Sequence, residues 1–319
     1  MFYAGAKWKI SFDDKRKGKA MILLLGYGFI GSTLYRDLIK FGYKVRVFSK
    51  YYPTKKIPSN FLRGDLADIE KHPKLFKNIK LVVHLAHTTV PVTSMDDMDY
   101  DVRSNVLPFI KLLKTMVKTK VKKIIFVSSG GAIYGKAVDH PMDEGQPTNP
   151  ISSYGITKLV MEKYLHLFNH NFGIRSCVLR PSNAYGIGQD LKKPQGIIGY
   201  MIDAILHGKT FTVWGNGSAK KDFLEIRDLS DAILKVIKKN EFRNQIYNIS
   251  YGKSYSIKEI INLVEVITGK KLSIKYSHSK KFDVQSVSLD NANFRRKFHW
   301  VPRITVEKGI ENLISNTKK

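Results

Sequence analysis

A short apolar segment followed by three closely spaced glycines constrains the fold of this chain more than any other feature. Met21–Leu25 has the length and composition of a buried strand, and Gly26, Gly28 and Gly31 come directly after it. A segment with helical spacing of apolar residues follows, and then Tyr43–Phe48, which has the pattern of a second strand. This order of strand, glycine turn, helix and strand is the context in which the Gly-X-Gly-X-X-Gly pattern binds a dinucleotide.

Each glycine has a separate role in such a turn. Gly26 allows the tight turn, Gly28 lets the backbone approach a pyrophosphate, and Gly31 lets the helix pack on the strand. The amides at the start of the helix, around Phe29 and Ile30, and the helix dipole then hold the phosphates. We therefore predict a cofactor site here rather than an ordinary strand-to-helix turn.

The end of the second strand distinguishes between the two nicotinamide cofactors. An NAD site usually has Asp or Glu about 20 residues after the glycines, where the carboxylate binds the ribose hydroxyls. This chain has Ser49 and Lys50 there, with Lys55 and Lys56 close by, so no carboxylate repels the 2′-phosphate of NADP. We expect NADP, as NADPH, rather than NAD. The alternative explanation is that these lysines simply lie on a solvated loop.

The segments that follow alternate between apolar strands and amphipathic helices. Residues 61–66 have the pattern of a strand and its exit loop. Further strand patterns lie at residues 81–86, 123–127 and 174–179, and helical patterns lie at residues 105–117 and 154–169. This alternation predicts an α/β fold built on a doubly wound parallel (Rossmann) sheet. Ligands bind such sheets at the carboxyl ends of the strands, where the glycine turn, Ala86 and Ser128 fall.

The composition limits the possible partners and the location. The 319-residue chain carries a formal net charge of +27, but its lysines are spread along the whole length without an arginine-rich arm or a nucleic-acid motif. We therefore expect no nucleic-acid partner, although such a charge attracts polyanions. The single cysteine, Cys177, excludes a disulfide framework and suits a reducing cytoplasm. The nine histidines show no metal spacing, so we expect no metal site.

The segment before the first strand is basic rather than apolar. We expect no secretory signal and no transmembrane segment, because no stretch has the apolar length that either requires. Residues 1–20 form a basic N-terminal extension, which is either a surface-binding tail or a dispensable addition. We favour the second interpretation, with Met21 as the natural start.

Tyr154 and Lys158 are the candidate catalytic pair. At a spacing of four residues on a helix they share one face, about 6 Å apart along the axis. We expect the ammonium to favour tyrosinate and to lower the pKa of the phenol toward neutral pH. Such a pair moves a proton to or from a sugar or alcohol oxygen while a cofactor carries the hydride. The spacing alone also occurs on many exposed helices.

Further motifs occur in a fixed order along the chain. They are Gly64-Asp65-Leu66, His84-Leu85-Ala86, Asn105-Val106, Ser128–Gly135, Arg180–Gly186, Trp214–Gly217, Lys221-Asp222-Phe223, Tyr247-Asn248-Ile249, Asp283-Val284 and Trp300-Val301-Pro302. Together with the glycine turn and the Tyr154/Lys158 pair, they resemble the extended short-chain dehydrogenase/reductase family, in particular its nucleotide-sugar epimerases, dehydratases and reductases. The resemblance runs from about Met21 to about Leu313.

The resemblance implies a role for each matching residue. Tyr154 would be the acid/base, Lys158 would lower its pKa and hold the nicotinamide ribose, and Ser129, or less favourably Ser128, would bind the reacting sugar oxygen. Asp65 would bind adenine. The implied cofactor-binding residues are Gly26, Gly28, Phe29, Ile30, Gly31, Ser49, Lys50, Asp65, Leu66, Leu85, Ala86, Asn105, Ser128, Tyr154, Lys158 and Pro181. The implied substrate-binding residues are Ser129, Tyr154, Asn183, Lys221 and Lys280.

The resemblance also implies a division of the chain. Residues 21–185 would form the dinucleotide-binding domain, and residues 186–319 would mainly form a smaller C-terminal α/β substrate domain. The chain would return to the large sheet near residues 245–250. Helices around Asn105 and Tyr154 often build a dimer interface in this family, so a homodimer is expected.

Four positions depart from the family pattern. Leu25 stands where extended members usually carry one more glycine, and Gly130 where epimerases usually carry a hydroxyl. Lys221 and Lys280 replace two arginines that usually clamp the diphosphate of the substrate. Lysine keeps the charge but lacks the bidentate fork of arginine, so diphosphate recognition is expected with a different geometry.

The remaining choice is between a reductase and an epimerase. Gly131 and Ala132 replace the acidic pair with which dehydratases exchange protons, so a dehydratase is excluded. Because the end of the second strand favours NADP, we predict NADP-dependent reduction of a 4-keto nucleotide-diphosphate sugar, in the biosynthesis of surface-polysaccharide sugars. The alternative is a UDP-hexose type 4-epimerase with bound NAD. A nucleotide-sensing or scaffold protein is disfavoured, because a sensor need not retain both Tyr154 and Lys158.

Overall fold

The computed structural model describes residues 20–51, 59–135, 140–191, 196–279 and 283–317. The described residues form the strands β1 Met21–Leu25, β2 Lys44–Ser49, β3 Phe61–Arg63, β4 Ile79–His84, β5 Lys123–Val127, β6 Arg175–Pro181, β7 Asn183–Tyr185, β8 Phe211–Trp214, β9 Lys220–Glu225, β10 Gln245–Ile249, β11 Ser254–Ser256 and β12 Ile274–Ser277.

The helices lie between these strands. They are α1 Phe29–Lys40, α2 Thr93–Asp96, α3 Met98–Asp101, α4 Leu107–Lys118, α5 Gly130–Ile133, α6 Ser153–Phe172, α7 Ile197–Leu206, α8 Ile226–Lys239, α9 Ile257–Thr268, α10 Ala292–Phe298 and α11 Val306–Thr317. Two 3₁₀ turns span Leu66–Lys71 and Pro73–Phe76, and a π-helical segment spans Val102–Val106. No helix in the described part of the chain is both long and apolar enough to cross a membrane.

The predicted doubly wound parallel sheet is confirmed. Seven strands pair in the order β10-β6-β5-β4-β1-β2-β3, and each pair is parallel. The chain first builds the sheet outward from β1 to β3 and then restarts on the other side of β1 with β4. A crevice opens at this reversal point beyond the carboxyl ends of β1 and β4, and ligands of such sheets bind there.

Both faces of the large sheet are covered, which explains the continuous apolar composition of its strands. Successive side chains of a strand point to opposite faces. Ile22 and Leu24 accordingly pack with Leu34 of α1, whereas Leu23 and Leu25 belong to the cluster on the opposite face, with α4 and α6. A parallel sheet buried in this way lacks the alternation of polar and apolar residues seen in half-exposed strands.

The second half of the chain contributes to both parts of the molecule. In β10, Tyr247 pairs with Leu179 of β6, which extends the large sheet. Helices α8 and α10 also pack on this sheet. The remaining elements form a smaller α/β unit, in which two small sheets, β11-β9-β7 and β12-β8, share a separate core with α7, α9 and α11.

Candidate active site

The glycine turn has the shape of a phosphate cradle. Gly26 has φ +97°, and a Cβ there would lie 2.8 Å from the backbone nitrogen of Ala86. A Cβ on Gly31 would lie 2.2 Å from the carbonyl oxygen of Gly26, whereas a Cβ on Gly28 would meet nothing within 4 Å. Close backbone packing therefore requires glycine at positions 26 and 31, whereas Gly28 leaves open space at the N-terminus of α1. The turn fits a pyrophosphate held by helix amides.

The structure also places three further predicted cofactor residues, Leu85, Pro181 and Leu66. Leu85 donates its backbone N–H to the carbonyl of Leu25 at 2.9 Å, so the strand β4 exit lies against the end of β1. Pro181 ends β6 at the same edge of the sheet, and Leu66 begins a 3₁₀ turn after β3. Lys55, Lys56 and Lys280 lie outside the described residues.

The end of β2 is polar but carries no unpaired carboxylate among the described residues. The Ser49 hydroxyl oxygen accepts hydrogen bonds from the backbone N–H groups of Tyr27, at 3.2 Å, and Tyr51, at 3.3 Å. Lys50 Nζ lies 3.0 Å from Asp65 Oδ2. Asp65 also accepts from the N–H of Ala67, and this bond, together with Lys50, lowers the pKa of its carboxyl. Ser49 therefore fixes the glycine turn, and the Lys50–Asp65 pair is neutral as a unit.

Tyr154 lies in the first turn of α6, at the carboxyl edge of the sheet. Ser152 caps this helix by accepting the N–H of Gly155 at 3.2 Å, and Ser94 accepts the N–H of Tyr154 at 3.0 Å. Ser129, which follows β5, lies close enough to the phenol of Tyr154 to lower its pKa. The structure thus brings together a predicted catalytic tyrosine and the predicted serine from separate elements.

Lys158 is buried one turn further along α6. Its side chain is 3% exposed, and its ammonium donates to the carbonyl of Val127 at 3.0 Å. The nitrogen lies 5.7 Å from the centre of the Tyr154 ring. Burial lowers the pKa of Lys158 to about 7, although Glu162 and Asp101 act in the opposite direction.

The pKa of Tyr154 differs from the sequence prediction. Burial raises it to about 12, while the hydrogen bond to Ser129 lowers it and the Asp101 carboxylate raises it further. The prediction that Lys158 lowers this pKa toward neutral pH is therefore wrong for this arrangement. The lysine is itself desolvated, so the charge that would favour tyrosinate is only partly present near pH 7. The phenol is protonated at neutral pH.

The missing hydroxyl at Gly130 has a steric reason. A Cβ there would lie 2.9 Å from the carbonyl oxygen of Arg180 and 2.3 Å from Cδ1 of Leu289. A serine cannot be placed at this position without moving the backbone of β6. Ser129 thus supplies the hydroxyl near Tyr154. Ser128 is buried, and its hydroxyl has no hydrogen-bond partner among the described residues.

A buried carboxylate that the sequence analysis did not single out lies next to the pair. Asp101 is fully buried and accepts from Ser153 at 2.7 Å and Thr157 at 3.3 Å, both on α6. It also accepts from Thr89 and from Asn105 Nδ2, the latter at 2.9 Å. Asn105, a predicted cofactor residue, therefore positions Asp101 and the loop after β4. The spacing of four residues between Asp101 and Asn105 on a helix was the available sequence signal.

The predicted substrate residues lie on and around β9. Asn183 is exposed and donates to the carbonyl of Asp222 at 3.0 Å. Lys221 Nζ lies 2.8 Å from Asp283 Oδ1 and also donates to the carbonyl of Val284. The charge of Lys221 is thus already paired within the protein. No group of three or more His, Cys, Asp or Glu in the described ranges could hold a metal ion.

Comparisons with known proteins identify the family of this chain. A family model described as the NAD dependent epimerase/dehydratase family matches residues 22–250. A putative UDP-glucose 4-epimerase of Methanocaldococcus jannaschii is 33% identical over 301 residues, which cover 92% of this chain and 97% of that protein. A dTDP-4-dehydro-6-deoxyglucose reductase of Escherichia coli is 29% identical over 318 residues, which cover 96% and 99%.

A solved structure shows the same fold. The UDP-glucose 4-epimerase of Thermotoga maritima, determined with UDP-glucose, superposes with a TM-score of 0.88. It is 30% identical in sequence, and the match covers 93% of this chain and 98% of that one.

Proposed function

Because the chain belongs to the NAD dependent epimerase/dehydratase family, we propose that it is a reductase that converts a 4-keto nucleotide-diphosphate sugar into the 4-hydroxy sugar with NADPH. The chain is an enzyme that modifies nucleotide sugars with a nicotinamide cofactor. The proposal concerns the direction of the chemistry and the choice of cofactor.

The end of β2 supports NADP. An NAD-binding carboxylate at this point would repel the 2′-phosphate. Ser49 stands there instead, and the nearest described carboxylate, Asp65, is paired with Lys50. A 2′-phosphate would compete with Asp65 for Lys50 and add a charge-assisted hydrogen bond. Biosynthetic reductions use NADPH, so this cofactor choice favours reduction.

The protonation state of the site also suits a reductase. When bound, the reduced nicotinamide supplies the hydride. Tyr154 then has to give a proton to the oxygen that forms on the sugar, and its pKa of about 12 keeps that proton available at neutral pH. Ser129 would hold the phenol in place, and Lys158, whose nitrogen lies 5.7 Å from the centre of the phenol ring, would contact the cofactor ribose. Gly28 and the N-terminus of α1 would hold the pyrophosphate.

The nucleotide end of the substrate would bind near β9. By the family resemblance, Lys221 and Lys280 would stand at the family's two diphosphate-binding positions. Lys221 is held by Asp283, so a diphosphate would replace one anionic partner of the ammonium by another. Asn183, which is exposed beside Asp222, would contact the sugar nucleotide.

A 4-epimerase with bound NAD is the second candidate. The observation in its favour is that the relatives at 33% and 30% identity carry the name UDP-glucose 4-epimerase. An epimerase must first remove a proton from a sugar hydroxyl, which requires the tyrosinate form of Tyr154. A pKa of about 12 in the cofactor-free protein opposes that form, and the choice of reduction rests mainly on the end of β2.

One pair of assays separates the two reactions. The protein is incubated with dTDP-4-keto-6-deoxyglucose and NADPH, and the loss of absorbance at the reduced-nicotinamide band is followed. In parallel it is incubated with UDP-glucose without added cofactor, and the sugar is analysed for UDP-galactose. We expect NADPH consumption and no galactose. Interconversion of UDP-glucose and UDP-galactose without added cofactor would establish the epimerase instead.

A further inference from the structure

Asp101 is a fully buried carboxylate at the end of α3, and the reaction proposed above does not use it. Two of its hydrogen bonds come from α6, where the hydroxyl of Ser153 donates at 2.7 Å and that of Thr157 at 3.3 Å. These two residues directly precede Tyr154 and Lys158 in the chain. The carboxylate therefore lies against the helix turn that carries the candidate pair.

The other described partners of Asp101 are also neutral. Thr89 donates through its hydroxyl, and Asn105 donates through Nδ2 at 2.9 Å. His87 Nε2 lies 3.7 Å away, but burial lowers the pKa of this histidine well below its ordinary value, so the ring carries no charge at neutral pH. In the parts of the chain that the structure describes, no lysine or arginine lies within 4.0 Å of the carboxylate. The negative charge of Asp101 is therefore not cancelled by a counter-ion in direct contact.

This charge acts in the same direction on both members of the pair. Burial raises the pKa of Tyr154 to about 12, and Asp101 adds to the rise against the opposite effect of Ser129. Burial lowers the pKa of Lys158 to about 7, and the carboxylates of Glu162 and then Asp101 oppose this fall. A nearby negative charge disfavours the phenolate and favours the ammonium. Asp101 thus favours the form in which both groups hold their protons.

The remaining groups around Lys158 do not take over this role. Glu162 accepts two hydrogen bonds from the guanidinium of Arg180, at 3.0 and 2.6 Å, so its charge is shared with a buried cation. Burial, together with the charge of Lys158, lowers the pKa of His84 on β4 to about 3, so this ring is neutral. A buried charge without a counter-ion is costly to keep. We therefore attribute the charge of Asp101 to its effect on the pair.

We propose that Asp101 is a positioning residue that keeps both members of the pair protonated, Tyr154 as the acid and Lys158 as the ammonium. In the proposed reduction the phenol gives its proton to the sugar oxygen and becomes a phenolate. The ammonium, whose nitrogen lies 5.7 Å from the centre of the phenol ring, then stabilises this negative charge. The inference rests on the proposed function, because a reductase starts from the protonated phenol.

The test measures the titration of Lys158 without substrate. Lysine labelled with ¹³C at Cε is incorporated, the chemical shifts are followed from about pH 5 to about pH 10, and Lys158→Met identifies the signal. Asp101→Asn removes the charge but keeps the size, and the hydroxyls of Ser153 and Thr157 can turn to accept from its amide. Asp101→Ser is a second neutral variant. Ser153→Ala is the matched control, because it removes one hydrogen bond and keeps the charge.

We expect a midpoint at about pH 7 for Lys158 in the parent. Both neutral variants should lower it by about half a pH unit or more, because they remove a nearby negative charge. Ser153→Ala should leave it in place. An unchanged or higher midpoint in Asp101→Asn, an equal fall in Ser153→Ala, or failure of both neutral variants to fold would overturn the inference.

A second measurement connects the titration to catalysis. The rate of NADPH oxidation with dTDP-4-keto-6-deoxyglucose is followed against pH in the parent and in Asp101→Asn. Activity should fall as Lys158 loses its proton, so the alkaline limb of kcat/KM should move to lower pH in the variant. A lowered titration midpoint with an unmoved alkaline limb would also overturn the inference. If the parent oxidises no NADPH, the proposed reduction fails, whereas the substrate-free titration still decides the effect of Asp101 on Lys158.

Discussion

In the proposed reaction Tyr154 gives a proton to the substrate oxygen, because its raised pKa keeps the phenol protonated. We predict that Tyr154→Phe lowers kcat by about 10²–10⁴-fold, the usual contribution of general acid catalysis. NADPH should still bind, because the pyrophosphate cradle at Gly28 is untouched. The measurements are steady-state rates and NADPH fluorescence titration. A rate near that of the parent would show that another group supplies the proton.

A second prediction concerns the cofactor preference and the residue Ser49. Its hydroxyl accepts from the backbone N–H of Tyr27 and Tyr51, and an aspartate carboxylate can accept the same bonds. Ser49→Asp should therefore keep the turn intact while placing a charge that repels the 2′-phosphate. We expect NADPH affinity to fall by about tenfold or more and NADH affinity to rise. Ser49→Ala is the matched control. Equal affinity of the parent for NADPH and NADH would contradict the cofactor assignment.

The lowered pKa of Lys158 should make the stability of the protein depend on pH. Its folded pKa of about 7 lies below the ordinary lysine value of 10.5, so the unfolded chain binds more protons between these two values. The stability contributed by this group therefore rises as pH increases from about 7 toward 10 and is lost below about 7. In Lys158→Met this dependence should disappear. Urea unfolding at pH 7 and 9.5 should show a rise for the parent that exceeds that of the variant by about 3 kcal/mol. Parallel pH profiles would refute the depressed pKa.

At the scale of the elements, α6 is fixed to β6 by one buried ion pair. Arg180 donates to both oxygens of Glu162, at 3.0 and 2.6 Å, and both side chains are almost completely buried. Arg180 also donates to the hydroxyl of Tyr134 at 2.9 Å, which in turn donates to Asn248 of β10 at 2.7 Å. This network lies under the helix that carries Tyr154 and sets its position on the sheet.

Removing one partner of the Arg180–Glu162 ion pair should destabilise the protein. Glu162→Leu leaves the Arg180 guanidinium buried without a carboxylate, and we predict a loss of about 3–5 kcal/mol in the free energy of unfolding. The double variant Glu162→Leu/Arg180→Met removes both charges and should recover most of that loss. Urea unfolding of the three proteins provides the measurement. If the double variant is no more stable than Glu162→Leu, unpaired burial of the guanidinium is not the cause.

The elements that sequence patterns could predict are those with local causes. The glycine turn follows from spacing, and α6 from its Ser152 cap and helical periodicity. The strand and exit loop predicted at 61–66 are both present, because the strand is Phe61–Arg63 and Asp65 then caps a 3₁₀ turn. The π-helical segment Val102–Val106 was not predicted, and Asp101 directly before it is hydrogen-bonded to Ser153, 52 positions away.

The same division applies to the candidate site. Tyr154, Lys158 and the glycines were accessible from sequence because their roles depend on spacing within one element. The pairing of Lys221 with Asp283 and the approach of His87 to Asp101 join separate segments, so no local pattern indicates them. The direction of a pKa shift also depends on the whole fold. The predicted lowering of the Tyr154 pKa is wrong because burial of the phenol by the whole fold outweighs the effect of one neighbouring amine.

At the scale of the whole molecule, α4 and α6 present an apolar surface. Leu107 of α4 and Leu167 of α6 are 48% and 46% exposed. A surface groove of about 430 Å³ on α6 is lined by Leu159, Val160, Lys163, Tyr164 and Leu167. We propose that this surface covers the same surface of a second copy, as the family resemblance implies, because isologous contact buries both apolar faces at once.

This homodimer can be tested with one charge on the groove. Leu167→Glu would place two carboxylates in an interface of the usual size, about 800 Å² per partner, where neither can be solvated. We expect the parent to have the mass of two chains in light scattering after size exclusion, and the variant that of one. Val266→Glu, which changes a 72% exposed residue on α9 of the smaller unit, is the control and should leave the mass unchanged. A dimeric Leu167→Glu protein, or a monomeric parent at micromolar concentration, would show that α6 does not form the contact.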